Sequence, residues 1–223
     1  TDAEKINKLI LQHGDVFSFT TGVHPHHAKS FHSDSSDRMR ELIKKYSPNA
    51  LGEMGLDFFR NLSSHDEQVF AFEEQIKLAL EFNKPLFLHQ RESHEAFIRV
   101  LNTYKADINK AVVHCFTGTQ LELDDYLECD FYIGLTGWIC DERRNKDLRA
   151  SIKNIPLNRL MLETDSPYLI PRNLKPKPKS NRNEPKNLMH IATEIAGLRS
   201  ESIEEICNAV SYTHLTLPTS TTV

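Results

Sequence analysis

The feature of this sequence that most restricts its fold is a recurring pattern. A short apolar run is followed by a side chain of the type that binds metal ions, and then by a longer amphipathic stretch. The runs lie at residues 16–21 (VFSFTT), 49–52 (NALG), 85–88 (PLFL), 111–113 (AVV), 131–135 (FYIGL) and 159–162 (RLML). Each is short and almost continuously apolar, as strands are when both faces of a parallel sheet are covered. Between them, apolar residues recur at i, i+3 and i+4, which predicts helices over 4–13, 37–46, 64–83, 93–104, 122–128, 146–152, 187–198 and 201–209. Gly14 reads as the C-cap of the first helix and Ser200 as the N-cap of the last. Strand–helix alternation along the whole chain means an α/β protein with a parallel sheet, either doubly wound or a (β/α) barrel. No linker divides it and no internal sequence repeat is visible. Residues 170–186 form a long loop, and loops of that length in a compact domain usually carry function.

The chemistry sits where the runs end. VFSFTTGV leads into His24, with His26 two residues on. NALG leads into Glu53, PLFL into His89, AVV into His114 and RLMLET into Asp165. Singly, each has an ordinary structural explanation: a hydrogen-bonded histidine at a strand end, or an aspartate in a turn or helix cap. Jointly they point elsewhere, because a barrel delivers the C-terminal ends of its strands to one mouth. Imidazole and carboxylate donors suit zinc, manganese, magnesium or iron, and a shared carboxylate permits two-metal hydrolysis.

Composition narrows the classes further. Four cysteines without CxxC spacing point to a reducing compartment and away from a cysteine zinc site. A net charge of −4 excludes indiscriminate coating of nucleic acid but not a nuclease, since local patches and metals offset the mean. No apolar run approaches about 18 residues, and the polar N-terminal TDAEKINK has no signal-peptide core, so a cytoplasmic location without membrane contact is expected.

Several segments in fixed order carry a more specific signal. They are GVHPH (residues 22–26), ALGEMGLDFFRN (50–61), a helix with Gln68, Phe72 and Gln75, KPLFLHQRESHEAF (84–97), VVHCFTGT (112–119), YIGLTGWICDERR (132–144), LMLETDSPYLIPR (160–172) and NRNEPKNL (181–188). On these residues the chain resembles the TatD family of metal-dependent deoxyribonucleases, from about residue 20 to 210. The resemblance implies a TIM (β/α)8 barrel of the metal-dependent hydrolase type, with its first strands missing from this chain. It implies a 3′–5′ exonuclease on single-stranded DNA, with RNA as a further substrate and DNA repair or degradation as its setting. Two divalent ions, magnesium or manganese with zinc as an alternative, are its implied cofactors. By the same resemblance Glu53 is a metal-bridging carboxylate, and His89 and His114 are metal-binding histidines. Asp165 binds metal and orients or activates the attacking water, and His24 faces the phosphate. The HxH pair that many members carry on their first strand has no counterpart here.

Substrate contacts are read from charge and aromaticity. Residues 172–186 hold six Lys/Arg and one Glu, a local charge of +5, which suits tracking of a phosphate backbone through Lys175, Lys177 and Arg182. His26 and Arg91 are further substrate-binding candidates. Phe58 and Phe59 are placed to stack on bases, or one of them to fill the core. Cys115 reads as a small packed residue, since no base accompanies it. Two other functions stay open: an amidohydrolase-type enzyme acting on a small ester, amide or lactone, and a catalytically inactive scaffold. Residues 1–210 are expected to form one incomplete barrel domain. Residues 211–223, with seven Ser/Thr in SYTHLTLPTSTTV and no helical period, read as a non-native tail in which His214 has no role.

Overall fold

A computed structural model describes residues 2–13 and 17–216. By contact, the chain divides into two compact units, Thr1–Val112 and Val113–Val223, where the sequence offered no linker. The first unit runs α1 (Asp2–His13), β1 (Thr20–Thr21), a 3₁₀ turn (Pro25–Ser30), α2 (Ser35–Tyr46), β2 (Ala50–Asp57), α3 (His65–Glu81), β3 (Leu86–Arg91), α4 (His94–Tyr104) and β4 (Ala111–Val113). The second contains α5 (Gln120–Glu128), β5 (Tyr132–Leu135), α6 (Lys146–Ser151), β6 (Leu160–Leu162), α7 (Leu188–Leu198) and α8 (Ile203–Thr216). All six expected strands and all eight expected helices are present. None of the described helices is long and apolar enough to cross a membrane. Gly14, the expected cap of α1, lies outside the described residues.

Helix α3 organises the first unit. Ser64 opens it with a capping box: the Glu67 N–H donates to Ser64 Oγ, and Glu67 Oε2 accepts from the Ser64 N–H at 2.8 Å. Its apolar stripe of Phe72, Ile76 and Ala79 is fully buried, and Phe72 stacks on Phe97 of α4 with centroids 5.1 Å apart. Each large side chain so buried contributes about 1.5–3 kcal/mol.

Strands β1, β2 and β3 are parallel neighbours, and β3 continues to β4 through the Leu86 N–H to Lys110 C=O bond. The register between β2 and β3 pairs Leu51 with Leu86 but Met54 with Leu88. Two residues, Gly52 and Glu53, therefore lie opposite Phe87 alone. This bulge reverses the alternation of β2. Leu51, Met54 and Leu56 all share the buried face of Leu86 and Leu88, while Gly55 and Asp57 pair with His89 and Arg91 on the other. The two glycines make the bulge possible. Gly52 has φ +148° and Gly55 +141°, and an added Cβ would lie 2.2 Å from the Phe87 carbonyl oxygen and 1.9 Å from that of His89, respectively.

In the second unit β5 and β6 pair in parallel, Ile133 to Leu160 through Leu135 to Leu162. Thr119 and Glu122 cap α5 by the same reciprocal device as in α3. Arg199, after α7, donates to the carbonyls of Ile152 and Ile155 and pairs with Glu201 at 2.7 Å.

Three sequence expectations are corrected. NALG is only the start of β2, which continues through GEMGLD to Asp57, so Glu53 lies inside the strand. The bulge and its glycines hide that continuation from a pattern reading. Helix α8 is capped by Ser202, whose Oγ accepts from the Glu205 N–H at 3.2 Å, and not by Ser200. It also continues past Ala209 to Thr216. Thr213 is buried there, and His214 Nε2 accepts from the Leu162 N–H at 3.3 Å, so residues 211–216 are helical and His214 has a structural partner. Packing against β6 overrides the weak helical propensity of the Ser/Thr residues. Residues 217–223 lie outside the described residues.

Replacement of Gly55 by alanine is expected to lower stability by at least about 2 kcal/mol, through backbone strain and collision with β3. Gly197→Ala, a helical position with nothing within 4 Å of the new Cβ, should be neutral or slightly stabilising. Urea midpoints of the two variants test this, and equal midpoints would mean that β2 and β3 can part at no cost.

Candidate metal centre

In the first unit, five titratable side chains from three segments converge. His24 and His26 come from the 3₁₀ turn after β1, Glu53 and Asp57 from β2, and His89 from β3. Glu53 Oε1 lies 2.7 Å from His89 Nδ1 and 3.4 Å from His24 Nε2. Asp57 Oδ2 lies 2.7 Å from His26 Nε2 and 3.3 Å from His89 Nε2. The ring centroids of His24 stand 4.2 Å from His26 and 4.6 Å from His89.

Two amides on α3 fix the backbones that carry these groups. Gln68 and Gln75 are seven residues apart, two helical turns, and so share a face. Gln75 Oε1 accepts from the Val23 N–H at 2.6 Å, and its Nε2 donates to the Val23 carbonyl at 3.1 Å, next to His24. Gln68 accepts from the Asp57 N–H at 2.8 Å and donates to the carbonyls of Asp57 and Ser63. Both glutamines are 1% exposed, so their full hydrogen-bonding capacity has to be met inside the protein.

Asp57 is the most constrained acid. Burial alone would raise its pKa, but hydrogen bonds from His89, the Arg60 N–H and His26 outweigh burial and hold the carboxyl far below the usual range. For His89, burial acts to lower the pKa, and Asp57 and Glu53 reverse this and leave it raised. In His26 burial prevails over Asp57, and the pKa is lowered.

The donor set fits a divalent cation. His24, Glu53 and His89 each offer one ligand atom, and these atoms lie within 4.8 Å of one another. His24 Nδ1 accepts from the His26 N–H at 3.1 Å, which places its ring proton on Nε2 and makes that atom a donor toward Glu53. The strongest ligand candidates in this arrangement are therefore Glu53 and His89, with His24 as an N–H donor beside them.

The second unit has its own imidazole–carboxylate group. His114 Nδ1 lies 2.7 Å from Glu163 Oε2, which also accepts from the Cys115 N–H at 3.0 Å. This bond places the His114 proton on Nδ1, and Nε2 lies 3.7 Å from Asp165 Oδ1. Glu163 Oε1 is buried and has no hydrogen-bond partner among the described residues, an orphaned acceptor of the kind a cation or a proton satisfies. Gly134 makes room for that carboxylate: a Cβ there would lie 2.3 Å from Oε1.

Of the residues expected from sequence, His24, His26, Glu53 and His89 meet in the first unit, and His114 and Asp165 in the second. Arg91, two residues beyond His89, sets its guanidinium over the ring of Phe59. Lys175, Lys177 and Arg182 are exposed on the long loop. That loop is anchored by buried Asn183, whose Nδ2 donates to the Thr164 carbonyl at 2.7 Å, while its own N–H donates to the Pro167 carbonyl at 2.9 Å. Asp57, Glu163 and the two glutamines were not singled out from sequence as members of the site. Asp57 and Glu163 each lie in a strand or strand end two or four residues from a predicted group, so the period of two was the signal available for them.

The TatD related DNase family model matches residues 1–216. The chain is 46% identical over 211 residues to a protein of Pantoea ananatis (strain LMG 20103) named 3′-5′ ssDNA/RNA exonuclease TatD, covering 95% of this chain and 81% of that one. It is 52% identical over 182 residues to a protein of the same name from Yersinia pseudotuberculosis serotype O:3 (strain YPIII), covering 82% and 70%. Among solved structures, it is similar to YJJV, a TatD homologue from Escherichia coli K12, with TM-score 0.85 and 25% identity over 97% of this chain and 82% of that chain. A TatD family hydrolase from Entamoeba histolytica gives TM-score 0.83 and 26% identity over 97% and 80%. These neighbours place the fold in the TIM-barrel type expected from sequence.

The opposed pKa shifts give a pH signature for the metal-free chain. The depressed Asp57 contributes stability above its unfolded pKa of about 3.9 and loses it as pH falls through the folded value. The raised His89 contributes below about 6.5 and loses it as pH rises through its folded value. The stability difference between the parent and Asp57→Asn should thus be greatest between about pH 4 and 6.5 and shrink on both sides. Denaturant titrations at several pH values read this directly, with the His89 resonances of Asp57→Asn titrating lower than in the parent. A pH-independent difference would refute the coupling.

Proposed function

The chain belongs to the TatD related DNase family, and on that premise we propose that it is a metal-dependent 3′–5′ exonuclease that hydrolyses single-stranded DNA and, secondarily, RNA. The name shared by its relatives, 3′-5′ ssDNA/RNA exonuclease, supports the substrate and polarity. The observation that carries the reading is the convergence of His24, Glu53 and His89 on one point of the first unit, with Asp57 behind them. When bound, a divalent ion supplies Lewis-acid polarisation of a phosphoryl oxygen and a more acidic water. In the first unit Glu53 and His89 would hold such an ion. In the second, His114, whose Nδ1 is bonded to Glu163, would offer Nε2 as an imidazole ligand. Asp165 accepts the proton of the attacking water. His24 donates Nε2–H to a phosphate oxygen, and His26, fixed by Asp57, lines the substrate's approach. Lys175, Lys177 and Arg182 bind phosphates further along the strand.

This reading separates from that of an esterase or lactonase by substrate, and from a scaffold by turnover. Excess chelator should abolish release of nucleotides from end-labelled single-stranded DNA, and manganese or magnesium should restore it. Cleavage that persists in chelator would refute metal dependence. Glu53→Ala should lower kcat/KM by about 10²-fold or more, with loss of bound metal. Retention of most metal and most activity would remove Glu53 from its role.

The basic loop has a separate test. Replacing Lys175, Lys177 and Lys179 together by alanine should raise KM with little change in kcat. The slope of log affinity against log salt should flatten by about 2, at roughly 0.7 per lost phosphate contact on a single strand. An unchanged slope would assign the loop to solvent.

A further inference from the structure

Between β2 and α3 the chain makes a tight turn that places two phenylalanines differently. Phe58 is half-buried and stacks on the exposed His65, with centroids 3.6 Å apart and planes at 12°. Phe59 is turned outward and is 50% exposed. Its ring is not alone: the Arg91 guanidinium lies 4.0 Å from its centroid. An exposed aromatic ring with a guanidinium on it presents an apolar face together with a positive charge.

The turn is built on the metal centre itself. Asp57 directs Oδ2 at His26 and His89, while its other oxygen, Oδ1, accepts from the Arg60 N–H at 2.7 Å. The Asn61 N–H donates to the Asp57 carbonyl, and Asn61 takes the left-handed conformation at φ +48° that closes the turn. The Phe58 N–H donates to the Arg91 carbonyl at 3.0 Å, which joins the turn to the end of β3. Phe59 is therefore held at a fixed place by the same carboxylate that orients the histidines. Arg91 pairs with Asp57 in register and lies two residues beyond His89, on the same face of β3, about 7 Å along the strand.

We propose that Phe59, backed by Arg91, is a nucleobase-stacking platform that seats one base of a single-stranded substrate beside the His24–Glu53–His89 group. The chemistry selects the ligand. Every base offers a π-face, and each is joined to a phosphate that the guanidinium attracts, so the pair recognises a nucleotide without regard to sequence. The inference rests on the nuclease reading for its substrate, and it adds a site that grips the base where the metal ligands grip only the phosphate.

The test measures binding by the full chain in excess chelator, so that no turnover is needed. The probes are a short fluorescent single-stranded oligonucleotide and an abasic oligonucleotide with the same number of phosphates. Phe59→Ala should weaken the normal oligonucleotide about 10-fold, within the 1–3 kcal/mol that a base–aromatic stack contributes, and leave the abasic probe unchanged. Phe59→Trp should restore binding. Phe59→Leu, which keeps an apolar side chain and loses the ring, should behave as Phe59→Ala. Equal weakening of both probes, or of neither, overturns the platform, as does full binding by Phe59→Leu. Failure of the metal-loaded parent to cleave DNA would refute the exonuclease reading by a different readout.

Discussion

One buried carboxylate ties the first unit together. Asp57 is 1% exposed and charged, a combination that is costly unless every lone pair finds a donor. Two imidazoles meet one oxygen, a backbone N–H meets the other, and Gln68 holds the peptide on both sides. The orientation of His26 and His89, the turn that carries Phe59 and the start of α3 all follow from satisfying this one charge. Removing any partner leaves an uncompensated group in the interior, so the network is kept whole or lost as a unit.

The second unit reaches a similar end with different parts. Glu163 plays for His114 the part that Asp57 plays for His89, setting the ring by a bond to one nitrogen. Among the described residues its second oxygen has no donor, and the space for it exists because residue 134 has no side chain. Both units thus use strand glycines for closeness: Gly55 brings β2 against the His89 backbone, and Gly134 admits a carboxylate.

The sequence made the larger organisation plain, because apolar runs and amphipathic stretches differ in period and cannot be exchanged. The candidate ligands His24, His89, His114 and Asp165 were visible because they stand at or near strand ends, and Glu53 because the apolar run NALG leads into it, although it lies inside β2. What escaped was whatever depends on contacts distant in sequence. Gln68 and Gln75 look like polar positions on an amphipathic helix until the buried backbone they serve is seen. The extent of β2 was hidden because the bulge at Gly52 and Glu53 breaks the period of two that GEMGLD would otherwise show. Residues 211–216 looked unfit for a helix by composition, yet the burial of Thr213 and the bond from Leu162 to His214 keep α8 going.

The clamp of Gln75 on Val23 has a consequence for the dynamics of this region. Strand β1 is two residues long, and its ladder ends before the chain reaches His24. Beyond it, the primary amide of Gln75 offers one acceptor and one donor to Val23, just as a peptide group of a neighbouring strand does. A single side chain thus stands in for a missing sheet partner. Solvent exchange at the Val23 amide is therefore governed by the opening of a helix rather than by fraying of the sheet edge, and the segment bearing His24 inherits the persistence of α3.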